Sequence, residues 1–205
     1  MRLWHNGRNL GGSMDNDSNN RPVAIGPWQR LSSECRYRNP WIEIWHDEVI
    51  TPGNTAGIYG RVHFRNRAIG IVPLDDDGFT WLVGQYRYAL DAYSWEIPMG
   101  GAPEGSTPLQ AAQAELREET GLQAQDWQMI QTLHTSNSVT DEVGYVFIAR
   151  QLQQGDACPE PSEDISIRRL PLAEAVSWAM DGRITDAISV AALLKVWLMQ
   201  QGAAP

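Results

Sequence analysis

The feature that most constrains the fold is a glycine-rich segment followed by a strongly capped helix in the middle of the chain. Thr107 is of the type favoured at a helix N-cap, Pro108 suits the first helical position, and Gln110 completes a capping box. Gly121 suits the position just after a helix, where the backbone often turns left-handed. These signals predict a helix from Pro108 to Thr120.

The predicted helix carries glutamates at positions i, i+3 and i+4, namely Glu115, Glu118 and Glu119, which therefore share one face. Like charges at this spacing destabilise a helix by about 0.2–0.5 kcal/mol per pair. The last two glutamates also lie in the final turn, at the negative end of the helix dipole. A bound divalent cation would reverse this repulsion. From spacing alone, the face is either a metal site or a solvated acidic surface.

The spacing of glycines, glutamates and aliphatic residues in this segment is characteristic of one family. The matching positions are Gly100, Glu115, Leu116, Glu118, Glu119, Gly121 and Leu122. Together they resemble the Nudix box, Gly-x5-Glu-x7-Arg-Glu-U-x-Glu-Glu-x-Gly-U, where U is a bulky aliphatic residue. Two box positions differ, because Ser106 stands where the box has its first Glu and Ala114 where it has Arg.

The resemblance implies a cofactor, Mg2+ (or Mn2+), held by the carboxylates of the helix and a main-chain carbonyl: Glu115, Glu118, Glu119 and Gly100. In Nudix enzymes the box Arg is regarded as orienting these carboxylates. Because Ser106 and Ala114 remove an acid and a base together, the local charge balance is kept, and we expect activity at a reduced rate. The alternative is a catalytically impaired Nudix-fold protein that binds nucleotides without turnover.

Segments on either side of the box resemble the ADP-ribose pyrophosphatase branch of Nudix hydrolases. They are Gln85-Tyr86-Arg87-Tyr88, Ser94-Trp95-Glu96-Ile97-Pro98 and Ser138-Val139-Thr140-Asp141-Glu142. The resemblance implies that the loop acid Glu142 supplies a base or a metal ligand, and it makes Glu142 and Glu118 the expected catalytic residues. Surface exposure is the alternative for Glu142. Arg87 either clamps a pyrophosphate or pairs with Glu96, which itself either contacts substrate or is structural.

The N-terminal strands carry two tryptophans, Trp41 and Trp45, which we expect to bind substrate by stacking on a nucleobase, as tryptophans of this branch do. The alternative is that they are core or dimer contacts. Members of the branch commonly form homodimers in which N-terminal strands complete the partner's site, so we expect a homodimer. His63 and His134 are isolated in the sequence, and we assign them no role.

The chain has 205 residues and a net charge of −9, with no basic run. Such a chain is not expected to bind nucleic acid. No apolar run reaches membrane-spanning length and the start lacks a signal peptide's apolar core, so we expect a cytoplasmic protein without membrane contact. Cys35 and Cys158 are far apart and fit reduced thiols.

The order of elements predicts an α+β fold, a Nudix-type α/β/α sandwich with a mixed sheet and an N-terminal antiparallel strand element. We expect a disordered tail over residues 1–27, a strand element that serves for dimerisation over 28–64, and the Nudix hydrolase domain over 65–202. The expected elements are strand-like pieces around a turn at Thr51–Asn54, a hairpin of Ala68–Leu74 with Thr80–Tyr86, a strand Val143–Ala149, and helices Leu172–Met180 and Thr185–Gln200.

The combined expectation is metal-dependent hydrolysis of a small nucleoside diphosphate derivative. The branch implies ADP-ribose as the substrate, with AMP and ribose 5-phosphate as products. Another nucleotide sugar or a dinucleotide is the alternative substrate.

Overall fold

The computed structural model describes residues 22–103, 105–155 and 164–202. The chain divides into two compact units. The first comprises the described residues up to Arg65 together with Ser136–Asp141, and the second comprises Asn66–Thr135 and the described residues from Glu142 onwards. None of the helices within the described ranges is long and apolar enough to cross a membrane.

The first unit is a four-stranded antiparallel sheet in the order β1-β2-β3-β4. Its strands are β1 (Val23–Ile25), β2 (Trp28–Arg38), β3 (Ile42–Ile50) and β4 (Ala56–Phe64). The predicted turn at Thr51–Asn54 joins the last two strands, with Asn54 at a φ of 58° and its N–H donated to the Thr51 carbonyl oxygen.

The predicted tail, residues 1–27, overlaps this sheet, because Val23–Ile25 pair with β2. The sheet therefore starts earlier than expected. Apolar residues on either side of a short turn indicate this pairing, but the polar residues around them make the pattern weak in the sequence. Residues 1–21 and Cys158 lie outside the described residues. The dimerisation role of residues 28–64 stays a prediction.

The second unit contains a four-stranded mixed sheet in the order β8-β5-β10-β9 and a three-stranded antiparallel sheet in the order β11-β6-β7. The strands are β5 (Arg67–Pro73), β6 (Phe79–Arg87), β7 (Ala92–Glu96), β8 (Met99–Ala102), β9 (Leu122–His134), β10 (Val143–Gln154) and β11 (Ser166–Pro171). The helices are α1 (Pro108–Thr120), α2 (Leu172–Asp181) and α3 (Ala187–Gln200). Strands β5 and β10 are parallel, and their other neighbours in the mixed sheet are antiparallel.

Alternation along β5 sends buried side chains to both faces of the mixed sheet. Ile69 and Ile71 join a cluster with Leu116 of α1, whereas Val72 joins a second cluster with Leu193 of α3. Gly70 permits the close approach of α3, because an added Cβ would lie 2.9 Å from Ile188 Cγ2. The sheet is thus covered by a helix on each side, which agrees with the predicted α/β/α layering of a mixed sheet.

The predicted hairpin of Ala68–Leu74 with Thr80–Tyr86 is wrong. The two strands meet only at a bridge between Leu74 and Thr80 and then enter different sheets. Strand β5 is buried on both faces, which favours a central position between two other strands over pairing with its neighbour in sequence. The two C-terminal helices form as predicted to within a few residues.

Candidate active site

The box helix has the predicted bounds and caps. Thr107 Oγ1 accepts the Gln110 N–H at 3.2 Å, while Gln110 Oε1 accepts the Thr107 N–H at 3.0 Å. At the other end Gly121 has a φ of 73°, and its N–H donates to the Arg117 carbonyl oxygen at 2.9 Å. The caps satisfy backbone groups that a helix end otherwise leaves unpaired. They fix where the glutamates of α1 point.

Two of the box glutamates lie against strand β8. Glu119 is buried, and its Oε2 accepts the Met99 N–H at 3.0 Å. The half-buried Glu115 places its carboxyl group where a side chain on Gly100 would begin, so an added Cβ would overlap it. The structure therefore brings Glu115, Glu119 and the backbone of residues 99–100 together. Glu118 is half-buried on the same helix.

The carboxylates are not assembled as a ready-made metal cage. Over residues 22–103, 105–155 and 164–202, no group of at least three His, Cys, Asp or Glu side chains is arranged to hold a metal ion. The donor chemistry nevertheless fits Mg2+, which takes carboxylate oxygens, keeps several waters and completes its shell with substrate phosphates. The absence of a side chain on Gly100 leaves the adjoining backbone open to these carboxylates.

The two positions that depart from the box have local roles or none. The Ser106 hydroxyl donates to the Pro103 carbonyl oxygen at 2.8 Å and closes the turn before α1. Ala114 is half-buried on the helix and contributes no charge. Neither residue provides the acid–base pair that the box motif has at these positions.

Arg87 at the end of β6 forms a bidentate ion pair with Glu96 at the end of β7. Nε donates to Oε1 at 2.9 Å and Nη2 donates to Oε2. The Glu96 side chain is almost fully buried, whereas 37% of the Arg87 side chain is exposed. The hydrogen bond to Glu96 raises the pKa of Arg87, burial opposes this, and the charges of Glu96, Asp186 and Glu119 add to the increase. Arg87 and Glu96 thus form the ion pair that was one of the two predicted alternatives. A role of Arg87 in substrate binding stays a prediction.

Glu142 is half-buried directly before β10, and its Oε2 accepts a hydrogen bond from the Thr135 hydroxyl. Thr135 and Glu142 both belong to the second unit, and they flank the loop Ser136–Asp141, which belongs to the first. No motif in the sequence marks Thr135 as part of the site. Its proximity depends on how β9 and β10 pair, with His134 opposite Val143.

The two tryptophans of the first unit differ in environment. Trp41 is 38% exposed. The Trp45 indole N–H donates to Glu43 Oε2 at 3.0 Å, and the Arg61 guanidinium carbon lies 4.9 Å from the centroid of its ring. Trp45 is therefore held on both its edge and one face, while Trp41 offers an exposed ring. Their stacking on a nucleobase stays a prediction.

A buried carboxylate on β3 organises this charged network. Glu43 Oε1 lies 2.7 Å from Arg65 Nη2 and 3.1 Å from Arg38 Nε, and Oε2 accepts from Trp45. Burial raises the pKa of Glu43, but the hydrogen bonds and the two arginines outweigh burial and lower it below its ordinary value of 4.5.

His63, which the sequence left without a role, pairs with Asp141. His63 Nδ1 and Asp141 Oδ2 are 2.6 Å apart, although the residues are 78 positions apart in sequence. No local pattern signals such a pair, because it depends on the loop after β9 lying along β4. Asp141 directly precedes the expected catalytic residue Glu142 in the sequence.

Comparisons with known proteins define the class of this chain. The sequence model of the NUDIX domain matches residues 64–192, and the chain belongs to the Nudix family, in its ADP-ribose pyrophosphatase-like branch. The ADP-ribose pyrophosphatase of Mycobacterium tuberculosis (strain ATCC 25618 / H37Rv) is 34% identical over 187 residues, which cover 88% of both chains. That of Bacillus subtilis (strain 168) is 30% identical over 159 residues, covering 77% of this chain and 85% of the relative.

A solved structure agrees on the fold. The crystal structure of an ADP compounds hydrolase superimposes with a TM-score of 0.76, covering 89% of this chain and all of that chain at 23% identity. This confirms the predicted α+β Nudix-type fold. The family predicted from the box is confirmed by the domain model and by the relative at 34% identity. The roles of the individual site residues stay predictions.

Proposed function

We propose that the protein hydrolyses ADP-ribose to AMP and ribose 5-phosphate with Mg2+ (or Mn2+) as its cofactor. The observation that carries the proposal is that the box carboxylates of α1 lie against β8. Glu119 accepts a hydrogen bond from the Met99 N–H, and the Glu115 carboxyl group lies beside Gly100. The similarity to two bacterial proteins named ADP-ribose pyrophosphatase supports the choice of substrate.

The carboxylates Glu115, Glu118 and Glu119, with the carbonyl oxygen of Gly100, would hold the cation. When bound, the cation would offset the charge of the diphosphate and activate a water molecule. Without a cation, three carboxylates on one short helix face repel one another and the anionic substrate. The acidic helix thus provides hard ligands where the substrate needs positive charge.

The protein groups would act on the diphosphate as follows. The oxygen of a water molecule attacks one phosphorus in line, the bridging P–O bond breaks, and Glu142 accepts the proton of the water. Arg87 binds the other phosphate. Its pair with Glu96 uses Nε and Nη2, and its partial exposure leaves Nη1 able to meet a phosphate oxygen.

We further propose that the protein acts as a homodimer in which the strand element over residues 28–64 completes the partner's site. The exposed ring of Trp41 and the hydrogen-bonded ring of Trp45 would stack on the nucleobase of the substrate. The cytoplasmic location expected from composition stays a prediction.

The test is turnover by the full chain. With Mg2+ or Mn2+ we expect AMP from ADP-ribose, and Glu119→Gln should reduce the rate by at least about 100-fold, because it removes charge from a buried ligand. Glu174→Gln is the control, since it changes an exposed glutamate on α2. Failure to hydrolyse any member of a panel of ADP-ribose, nucleotide sugars and dinucleotides with either metal would overturn the proposal.

The departures at Ser106 and Ala114 favour one alternative, an impaired nucleotide-binding protein. That alternative predicts that ADP-ribose raises the melting temperature without being consumed. It also predicts that the double variant Ser106→Glu with Ala114→Arg gains turnover. Hydrolysis of a different compound on the panel would instead keep the reaction class and change the substrate.

A further inference from the structure

The loop Ser136–Asp141, which ends one residue before the proposed base, lies along β4 within the first unit. The Val62 N–H donates to the Val139 carbonyl oxygen at 2.8 Å, and the Asp141 N–H donates to the Val62 carbonyl oxygen at 3.2 Å. Val62 and Thr140 pair as a parallel bridge. The loop therefore adds a short, parallel pairing to the edge of an otherwise antiparallel sheet.

The Asp141 carboxylate fastens the end of this loop. Its Oδ2 lies 2.6 Å from His63 Nδ1, and its Oδ1 accepts the Phe64 N–H at 3.0 Å. Both oxygens thus contact consecutive residues of one strand, which restricts the rotation of the side chain. The side chains of His63 and Asp141 are 43% and 54% exposed. A polar contact this exposed contributes little to global stability, so its effect is local.

Apolar packing does not fill the space between the loop and the sheet. Residues 137–141 line a cavity of about 270 Å³ together with Trp28, Val49 and Tyr59. Because a cavity provides no dispersion contacts, polar contacts carry a larger share of the loop's attachment. Besides the Asp141 contacts, the Tyr59 hydroxyl donates to the Ser138 carbonyl oxygen at 2.5 Å.

We propose that His63 and Asp141 are positioning residues for Glu142, which they serve by fixing the loop that precedes it. The inference rests on the proposed function, in which Glu142 accepts a proton from water. Because Glu142 follows Asp141 directly, release of Asp141 frees the backbone on one side of the base. A misplacement of about 1 Å can lower a rate by roughly 100-fold.

The experiment compares His63→Ala, His63→Asn and the control Glu34→Gln in the full chain. Asn keeps an N–H donor near the position of Nδ1, whereas Ala removes it. Glu34 forms a similarly exposed ion pair with Arg36 in the same unit. We expect His63→Ala to lower kcat by about tenfold or more with KM unchanged, His63→Asn to restore most of kcat, and Glu34→Gln to change neither.

Hydrogen exchange provides a readout that does not need a substrate. In His63→Ala the amides of Val62 and Asp141 should exchange faster than in the unaltered protein, while those of the α1 helix should not. Unchanged exchange at these amides would overturn the anchor. Faster exchange with unchanged kcat, or equal kcat in the Ala and Asn variants, would overturn the positioning role.

Failure of the proposed function gives a different result. The unaltered protein would then show no turnover of ADP-ribose, while exchange in His63→Ala would still report whether His63 fixes the loop.

Discussion

At the scale of single residues, Gly100 lets the backbone of β8 approach the Glu115 carboxyl group of α1. The Glu115 carboxyl group occupies the volume that any side chain at this position would need. The glycine is therefore required for close approach rather than for an unusual backbone angle. This gives a physical reason for a glycine at the first position of the box.

Gly100→Ala should displace the Glu115 carboxyl group and reduce turnover by at least about tenfold, with an overpacking cost of roughly 1–3 kcal/mol. Rates and the free energy of unfolding in urea measure the two effects. Gly60→Ala is the control, because an added Cβ there has nothing within 4 Å. Equal activity of the two variants would contradict the account of Gly100.

Arg87→Lys tests the bidentate pair. A lysine ammonium cannot reproduce the two parallel hydrogen bonds, so the buried Glu96 carboxylate loses part of its compensation. We expect a loss of roughly 1–3 kcal/mol in the free energy of unfolding, measured with urea. Arg36→Lys, in an exposed ion pair, should change it by less than about 0.5 kcal/mol. The ion pair with Glu96 would be unimportant for the fold if both variants unfolded alike.

At the scale of elements, local signals predicted α1 well and strand pairing poorly. The bounds of α1 follow from Thr107 and Gly121, because capping depends on neighbours in sequence. The pairing of β5 with β10 joins segments more than 70 residues apart, so nothing near β5 reveals it. Strand β9 was not predicted, because its glutamines mask the alternation of buried and exposed side chains. His63 and Asp141 are likewise 78 positions apart, so no local pattern indicates their contact.

The sheet of the first unit contains a pH-dependent interaction at Glu43. Folding lowers the pKa of Glu43 below its ordinary value of 4.5. At a pH above 4.5 the ionised carboxylate therefore stabilises the sheet, and this stabilisation is lost as the pH falls through the lower pKa of the folded state. Relative to Glu43→Gln, the unaltered protein should lose stability as the pH falls from neutral to below 4.5. Urea unfolding across this range measures the difference, and a difference independent of pH would contradict the prediction.

At the scale of the whole molecule, the chain is a Nudix fold preceded by an antiparallel sheet, and it carries a net charge of −9. The fold class could be predicted because the box motif is long and its spacing is specific. Substrate and oligomeric state could not be read the same way, because they depend on surfaces that local patterns do not describe. An acidic protein needs local positive charge to bind a diphosphate, which Arg87 and a cation would provide.

The proposed dimer predicts that a charge on the exposed sheet of the first unit weakens association. Ile58 on β4 is 72% exposed, and burying an aspartate there on dimerisation would be costly. Sedimentation should show a dimer for the unaltered protein and a shift towards monomer for Ile58→Asp. Met180→Asp is the control at a similarly exposed position, 71%, on α2. A monomer for the unaltered protein would contradict the proposed dimer.

The most direct test of the central claim is ADP-ribose hydrolysis by the full chain as the metal is removed and restored. We predict no AMP in the presence of EDTA, recovery when Mg2+ or Mn2+ is added in excess, and no recovery for Glu119→Gln at the same metal concentration. Turnover that persists in EDTA, or full recovery of Glu119→Gln, would contradict the claim that the carboxylates of α1 carry a metal-dependent hydrolysis.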